Sequence, residues 1–206
     1  MGIVDSTESI DGATNLDDES GLKIQISTRE ELYKEEAKNI LTPYIKYLSG
    51  DILSKKDAPF NYAWFIQLHN EMFSDVWDWA GKLRKNELSI GIKAYQVSTE
   101  LKKLCDDLTT WEKYQTFNVI EIATRLHHRA VQIHPFQNGN GRWSRLIANI
   151  YLKQNGKKPI AWNETSLSNL TITRDKYISA LREADNGNYK SLIEMHYINN
   201  SEEKTV

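Results

Sequence analysis

The sequence predicts an all-α domain with one short β-hairpin, and three observations support this fold class. Apolar residues recur every three or four positions in several segments of the chain, which is the spacing of an amphipathic helix. The segment 82–97 instead alternates apolar and polar residues, as a short strand does. No internal repeat or long linker interrupts these segments, so one domain of six or seven helices is expected.

The first two helices have recognisable ends. Hydroxyl groups at Ser27 and Thr28, followed by acidic residues, indicate the start of the first helix, and Pro43 is expected to bend or break it. The second helix is predicted over 62–79 and ends at Gly81. Helical spacing returns after the hairpin in four segments: 97–108, 119–133, 143–154 and 174–184.

Composition limits the class of protein. The chain has 206 residues, of which 40% are apolar and 26% charged, which is enough for one core and excludes a collagen or a disordered chain. A single cysteine, Cys105, excludes an internal disulfide. We expect residues 1–22 to be a flexible acidic tail and residues 23–200 to form the domain.

The charge distribution and the apolar pattern restrict the partners. Six of the 28 acidic residues lie within positions 1–20, which contain no Lys or Arg, so the rest of the chain has a formal charge of +4. This charge suits a phosphate-bearing ligand but not a DNA-tracking surface, so no nucleic-acid partner is expected. No apolar run approaches the roughly 18 residues of a membrane span, and no signal-peptide pattern is present, so we expect a cytoplasmic protein without a membrane partner.

The most informative stretch is 134–145, which reads His-Pro-Phe-Gln-Asn-Gly-Asn-Gly-Arg-Trp-Ser-Arg. Pro135 disfavours helical backbone at the preceding residue, so the helix before it should end at His134. Residues 138–141 alternate Asn and Gly directly before the next helix. Such a turn can point successive amide N–H groups into one concavity at the positive end of the helix dipole, where an anion binds.

Two arginines follow this turn. Arg142 and Arg145 share a face of the first helical turn, where the dipole disfavours each cation by ~0.3–1 kcal/mol unless an anion lies between them. Together with His134 they suit transfer chemistry on a polyphosphate. Each feature alone has a structural explanation: an ordinary turn, a helix cap or solvated arginines. Their coincidence within twelve residues favours a functional site for a polyphosphate.

This stretch resembles the signature of Fic-domain proteins, His-x-Phe-x-(Asp or Glu)-Gly-Asn-Gly-Arg-x-x-Arg, and every fixed position but one is present. Residues 79–84 resemble the segment that leads into the Fic flap, and residues 177–181 resemble the helix after the signature. With residues 11–14 and 127–129, the likeness extends over most of the chain and is greatest for the Fic subfamily called mobile mystery protein B.

The resemblance implies a fold, a Fic-type helical bundle with a β-hairpin flap over the active site. It also implies transfer of AMP from ATP to a Ser, Thr or Tyr hydroxyl of a target protein. His134 is then the general base, and Arg142, Arg145 and Asn140 complete the catalytic set. The implied nucleotide-binding residues are Asn138, Gly139, Asn140, Gly141, Arg142, Arg145 and Tyr177.

The resemblance also suggests how the target and an inhibitor would bind. The flap would dock the target as an added strand, through Leu88, Ile90, Gly91 and Ile92. Fic proteins are often inhibited by a helical Glu that pairs with the second signature arginine, here Arg145. Glu31 or Glu36 could take this role, either could be an ordinary solvated residue, and a separate inhibitor protein is a further alternative.

The signature departs from the family at Asn138, where most active members have an acid that helps to hold Mg²⁺. A neutral amide oxygen should weaken Mg²⁺ binding by on the order of a few kcal/mol. Three outcomes stay open: slow adenylyl transfer, a different phosphate-containing donor, or a nucleotide-binding regulatory module without turnover. A zinc site at His127, His128 and His134 is disfavoured because adjacent helical residues point about 100° apart.

Overall fold

The computed structural model describes residues 20–50, 53–162 and 174–197. It confirms a helical protein, and the described residues contain seven α-helices. They are α1 (Arg29–Leu48), α2 (Tyr62–Phe73), α3 (Val97–Tyr114), α4 (Val119–Ile133), α5 (Asn140–Gln154), α6 (Arg174–Asp185) and α7 (Lys190–Tyr197), with a 3₁₀ turn at Ala94–Gln96 before α3. Residues 1–19 of the predicted tail lie outside the described residues.

Side-chain caps explain where the first helices begin. At the start of α1, Thr28 accepts a hydrogen bond from the backbone N–H of Glu31, and the Glu31 carboxylate accepts one from the Thr28 N–H, which is a capping box. Asn61 caps α2 in the same general way. α1 continues through Pro43 without the predicted break, whereas α2 ends at Phe73, six residues before its predicted end.

The core is built around α4 and α5, which pack against each other and against α1, α2 and α3. The largest side chains buried there are aromatic: Trp77, Trp143, Tyr47, Tyr151, Phe65, Phe73 and Phe136. A second, smaller apolar cluster joins α6 and α7 to α4. The loop between α4 and α5 is therefore held by the two most central helices.

The beginning of the described chain is attached to the segment after α2. The Lys23 N–H donates to the Val76 carbonyl and the Asp78 N–H donates to the Gly21 carbonyl, each at 2.8 Å. Gly21 therefore already belongs to the folded part, although the sequence assigned it to the tail. In the part of the chain that is described, no helix is long and apolar enough to cross a membrane.

The predicted β-hairpin is not found. Residues 82–93 form an irregular flap whose described backbone makes only a single bridge, between Leu83 and Phe136. The guanidinium of buried Arg84 donates to the carbonyls of Asn86 and Ile92, which a partner strand would otherwise use. A side chain thus replaces the strand pairing that the alternating pattern predicted.

Candidate active site

The loop between α4 and α5 begins at His134. This residue ends α4 in the left-handed conformation, with φ 50° and ψ 62°, and its N–H donates to the Ala130 carbonyl at 3.1 Å. Left-handed backbone is uncommon for a residue with a Cβ. The helix ends at Ile133, as Pro135 predicts, so His134 is the first residue of the loop.

The environment of His134 keeps its ring neutral. Burial and, to a smaller extent, the Arg84 charge lower the pKa of the imidazole, the Val131 backbone opposes them, and the resulting pKa is about 4. The ring is therefore uncharged at neutral pH and able to accept a proton. Nδ1 is buried, which leaves Nε2 as the nitrogen that a substrate can reach.

A second histidine, His69 of α2, supports the loop, and the sequence did not point to it. The Gly81 N–H donates to His69 Nδ1 at 3.0 Å, so Nε2 carries the proton and donates to the Asn138 carbonyl at 3.0 Å. The ring also stacks on Phe136, with centroids 3.6 Å apart. Burial lowers the pKa of His69 to about 3, so this arrangement needs no charge.

Asn140, at the start of α5, holds the loop from its other end. Its side-chain oxygen accepts from the Phe136 N–H and its side-chain nitrogen donates to the Phe136 carbonyl, each at 2.9 Å. The side chain is buried, so both backbone groups are satisfied without water. The sequence predicted Asn140 as a nucleotide ligand, but the structure shows its side chain shaping the loop.

The start of α5 forms a cradle of backbone N–H groups. The first N–H groups of a helix have no partner within the helix and carry the positive end of its dipole. Gly139 precedes them with φ 76°, and a Cβ on it would lie 2.5 Å from the Phe73 ring. A Cβ on Gly141 would lie 3.5 Å from Arg145 Nη1. Glycine at position 139 thus allows the left-handed backbone and the close approach of the loop to Phe73.

The first signature arginine, Arg142, is paired with α1. Its Nη1 lies 2.7 Å from Oε2 of Glu36, a carboxylate only 2% exposed. The other carboxylate oxygen of Glu36 accepts from the Trp77 indole at 2.7 Å. The guanidinium also lies over the Phe73 ring, 4.8 Å from its centroid. The predicted pairing of Glu36 with Arg145 is therefore found at Arg142 instead.

The other predicted inhibitory residue lies elsewhere. The Glu31 carboxylate accepts from the backbone N–H groups of Ser27 at 2.7 Å and Thr28 at 3.3 Å. It is thus occupied in capping α1, and no contact with either signature arginine is found for it among the described residues.

The second signature arginine, Arg145, lies against Tyr177 of α6. Burial raises the pKa of the Tyr177 phenol, and the nearby positive charge of Arg145 opposes this rise. The same hydroxyl lies 2.9 Å from His127 Nε2. Tyr177, predicted to contact the nucleotide, is thus placed beside Arg145 with its hydroxyl engaged inside the protein.

The flap covers His134. A Cβ on Gly91, whose φ is +100°, would lie 2.5 Å from His134 Cβ, so only glycine allows this approach. Arg84 Nε donates to the His134 carbonyl at 2.7 Å, which fastens the flap to the loop. Of the predicted docking residues, Ile90 is 58% exposed, while Leu88 and Ile92 are half-buried.

The residues present fit a divalent metal poorly. The Asn138 side-chain oxygen accepts from the Gly139 N–H at 2.6 Å and carries no charge, so it is a weaker ligand for a divalent cation than a carboxylate would be. Across the described ranges, no group of three or more His, Cys, Asp or Glu residues could hold a metal ion.

Replacing Asn140 with Ala should damage both the loop and the cradle. Asn140→Ala leaves the buried N–H and carbonyl of Phe136 unpaired, so the free energy of unfolding should fall by about 2–5 kcal/mol. Denaturant unfolding measures this change, and calorimetry should show ATP binding weakened by about tenfold or more.

Asn149 provides the matched control, because its side chain bonds the N–H and carbonyl of Ile160 in the same way at 2.8 and 3.0 Å, away from the cradle. Asn149→Ala should cost similar stability and leave ATP affinity unchanged. Equal effects of the two variants on ATP affinity would contradict this role for Asn140.

Comparison with known proteins agrees with this geometry. Residues 59–152 match the family model of the Fic/DOC family. A protein adenylyltransferase Fic of Drosophila yakuba is 26% identical over 166 residues, which cover 79% of this chain and 31% of the relative. This chain therefore spans about a third of the length of that relative.

Solved structures share the fold. An N-terminal Fic domain of a Bartonella effector protein, from Bartonella sp. AR 15-3, superposes with a TM-score of 0.67 at 17% identity, covering 90% of this chain and 89% of the other. BepC of Bartonella tribocorum, solved with bound AMPPNP, gives a TM-score of 0.63 at 18% identity, covering 85% and 89%. The family match assigns residues 59–152 to the Fic/DOC family, and the solved structures share the fold of this chain.

Proposed function

We propose that this domain transfers AMP from ATP to a hydroxyl group of a target protein. One observation carries the proposal: a neutral imidazole, His134, stands at one end of a loop whose other end is an N–H cradle followed by two arginines. The names of the relatives, protein adenylyltransferase, and the AMPPNP bound to BepC support it. The segments quoted above further favour the mobile mystery protein B subfamily.

The chemistry is a substitution at the α-phosphorus of ATP. His134 Nε2 removes the proton of a Ser, Thr or Tyr hydroxyl as its oxygen attacks. The new bond joins this oxygen to the α-phosphorus, the bond to the β-phosphate oxygen breaks, and pyrophosphate leaves. The N–H cradle at the start of α5 and the guanidiniums of Arg142 and Arg145 stabilise the charge that develops on the phosphate oxygens.

No step is assigned to Mg²⁺, because the Asn138 oxygen is neutral and already accepts from the Gly139 N–H. This leaves the two arginines and the helix dipole as the positive groups that oppose the triphosphate charge. A nucleotide-binding module without turnover is the second candidate, and the missing carboxylate at Asn138 is the observation that favours it.

Glu36 is the residue we assign to inhibition. Its buried carboxylate occupies Arg142, and the indole of Trp77 holds it in that position. A triphosphate that binds Arg142 must displace or repel this carboxylate, so Glu36 lowers nucleotide affinity in the resting domain. A separate inhibitor protein and a cytoplasmic location stay predictions from the sequence.

The target would dock along the flap. The segment 88–92 contacts His134 through Gly91 and exposes Ile90 beside it. A target chain lying along this segment would present its hydroxyl side chain to the imidazole.

Removing the imidazole should separate binding from transfer. In His134→Ala, we expect ATP affinity within about threefold of the original and a transfer rate about 10²–10⁴-fold lower. Transfer of label from α-labelled ATP to protein measures the rate. Label that persists in this variant would remove His134 from the mechanism.

Replacing Asn138 with Asp should create metal dependence. One carboxylate oxygen can keep the bond from the Gly139 N–H while the other faces a cation, so ATP affinity in Mg²⁺ should rise about tenfold or more over that in EDTA. Calorimetry with and without Mg²⁺ measures this, and Asn138→Ala should not show the gain. Our account of this position would be contradicted if ATP affinity of the unsubstituted protein already depended strongly on Mg²⁺ and Asn138→Asp brought no further gain.

Neutralising Glu36 should relieve inhibition. Glu36→Gln keeps an oxygen for the Trp77 indole and removes the charge, so ATP should bind about tenfold more tightly and label transfer should increase. Glu31→Gln is the matched control on the same helix, since Gln also serves in a capping box, and should change neither quantity. Weaker ATP binding in Glu36→Gln would instead show that the carboxylate holds Arg142 in place for the nucleotide.

A further inference from the structure

Arg84 is a buried guanidinium whose hydrogen bonds go to backbone carbonyls. Its Nε donates to the His134 carbonyl at 2.7 Å and its Nη1 donates to the Asn86 carbonyl at 3.0 Å. Its Nη2 donates to the Ile92 carbonyl, and the Ile133 carbonyl lies 3.5 Å from the same nitrogen. Each of the three nitrogens therefore has an acceptor, although the residue is only 5% exposed.

Two of these carbonyls belong to the end of α4. The last carbonyls of an α-helix have no N–H partner within the helix and carry the negative end of its dipole, where a cation is favourable. The guanidinium reaches the carbonyls of Ile133 and His134, and the backbone N–H of Arg84 donates to the Pro135 carbonyl at 2.9 Å. One residue thus bonds three successive carbonyls. The bond to the His134 carbonyl also helps to hold the left-handed backbone of that residue, which is uncommon in the presence of a Cβ.

The other two carbonyls belong to the flap. Those of Asn86 and Ile92 lie six positions apart, and one guanidinium bonds both. A Cβ on Gly91, which lies between them in the chain, would be 2.5 Å from His134 Cβ and 3.1 Å from Nη2 of the guanidinium. The donors of a guanidinium are fixed in one plane, so a group bonded on both sides sets the distance between the flap and His134.

Arg84 also affects the protonation of His134. Its charge disfavours a second positive charge on the ring and adds, to a smaller extent, to the effect of burial in holding the pKa of the imidazole at about 4. The flap contributes to this burial, because Gly91 approaches His134 closely. Releasing the flap should therefore raise the pKa of His134 by exposing the ring, and removing the cation should raise it further.

We propose that Arg84 is the positioning residue of the general base: it holds the flap closed over His134 and fixes the backbone that carries the imidazole. A lysine could not do both, because its single nitrogen cannot bond the flap and the end of α4 in the same planar arrangement. The proposal rests on the proposed function in so far as it names His134 as the base and the flap as the surface where the target docks.

Two variants of the full chain separate the charge of Arg84 from its shape. Arg84→Gln removes the charge and the planar group, whereas Arg84→Lys keeps the charge alone. In NMR spectra of the unsubstituted protein, a strong nuclear Overhauser contact should join the Hα protons of Gly91 to the Hβ protons of His134. This contact should be lost in both variants. A contact of unchanged strength in both would overturn the proposal.

The pKa of His134, followed by NMR titration of its ring, distinguishes positioning from general stability. It should rise from about 4 toward the ordinary value of about 6.5 in Arg84→Gln, and by a smaller amount in Arg84→Lys. Arg129→Gln is the matched control, because the Arg129 guanidinium is partly buried and joins α4 to Glu100 of α3 at 2.8 Å. It should leave the pKa of His134 unchanged. Equal rises in Arg84→Gln and Arg129→Gln would reduce Arg84 to a general contribution to stability and overturn the proposal.

Label transfer from ATP gives the catalytic readout. The base acts only when its ring is neutral, so transfer is lost as the pH falls through the pKa of His134, and in Arg84→Gln this loss should occur at a higher pH. At neutral pH the transfer rate should fall about 10–100-fold in Arg84→Gln while ATP affinity stays within about threefold. ATP affinity that falls as far as the rate would place the effect at the nucleotide and overturn the proposal.

The two proposals can fail separately. If the unsubstituted protein binds ATP but transfers no AMP, the proposed function fails, while the contact between Gly91 and His134 and the pKa of His134 still decide the role of Arg84. If Arg84→Gln does not fold, Arg84→Lys decides it by the loss or persistence of the same contact.

Discussion

The two hydrogen bonds from the Asn140 side chain to the backbone of Phe136 hold the geometry on which the site depends. They close the loop between α4 and α5, which begins at His134 and leads into the start of α5. His69 secures the middle of the loop by bonding the Asn138 carbonyl and stacking on Phe136. The two Asn140 bonds are buried, so the loss of either would leave a buried polar group without a partner.

Burial also determines the chemistry of the site. The same packing that fixes the loop lowers the pKa of His134, so the imidazole is available as a base at neutral pH. The two signature arginines have different neighbours: Arg142 is paired with the Glu36 carboxylate, whereas Arg145 lies beside the neutral phenol of Tyr177. The pairing of Arg142 with Glu36 opposes an incoming phosphate.

The helices and the end of α4 could be predicted from the sequence because they depend on local patterns of residues. Helical periodicity located the helices, and Pro135 indicated where α4 ends. The hairpin prediction was wrong because the guanidinium of Arg84 takes backbone carbonyls that a strand would pair, and alternation alone does not reveal such a side chain.

Contacts between residues that lie far apart in the sequence could not be predicted. His69 lies 69 positions from the Asn138 carbonyl that it bonds, and Glu36 lies 106 positions from Arg142. Nothing local to either residue distinguishes it from an ordinary helical side chain. Likewise, the resemblance to the Fic family placed Asn140 and Tyr177 among the nucleotide ligands, because a matching motif position does not reveal the direction of a side chain.

The most direct test of this account is an NMR map of where ATP binds. On titration with ATP, the backbone amides of Gly139–Arg142 and the ring of His134 should show the largest shift changes, because the account places the phosphates on the start of α5 within reach of the imidazole. Shift changes that saturate elsewhere on the domain and leave these groups unmoved would contradict it.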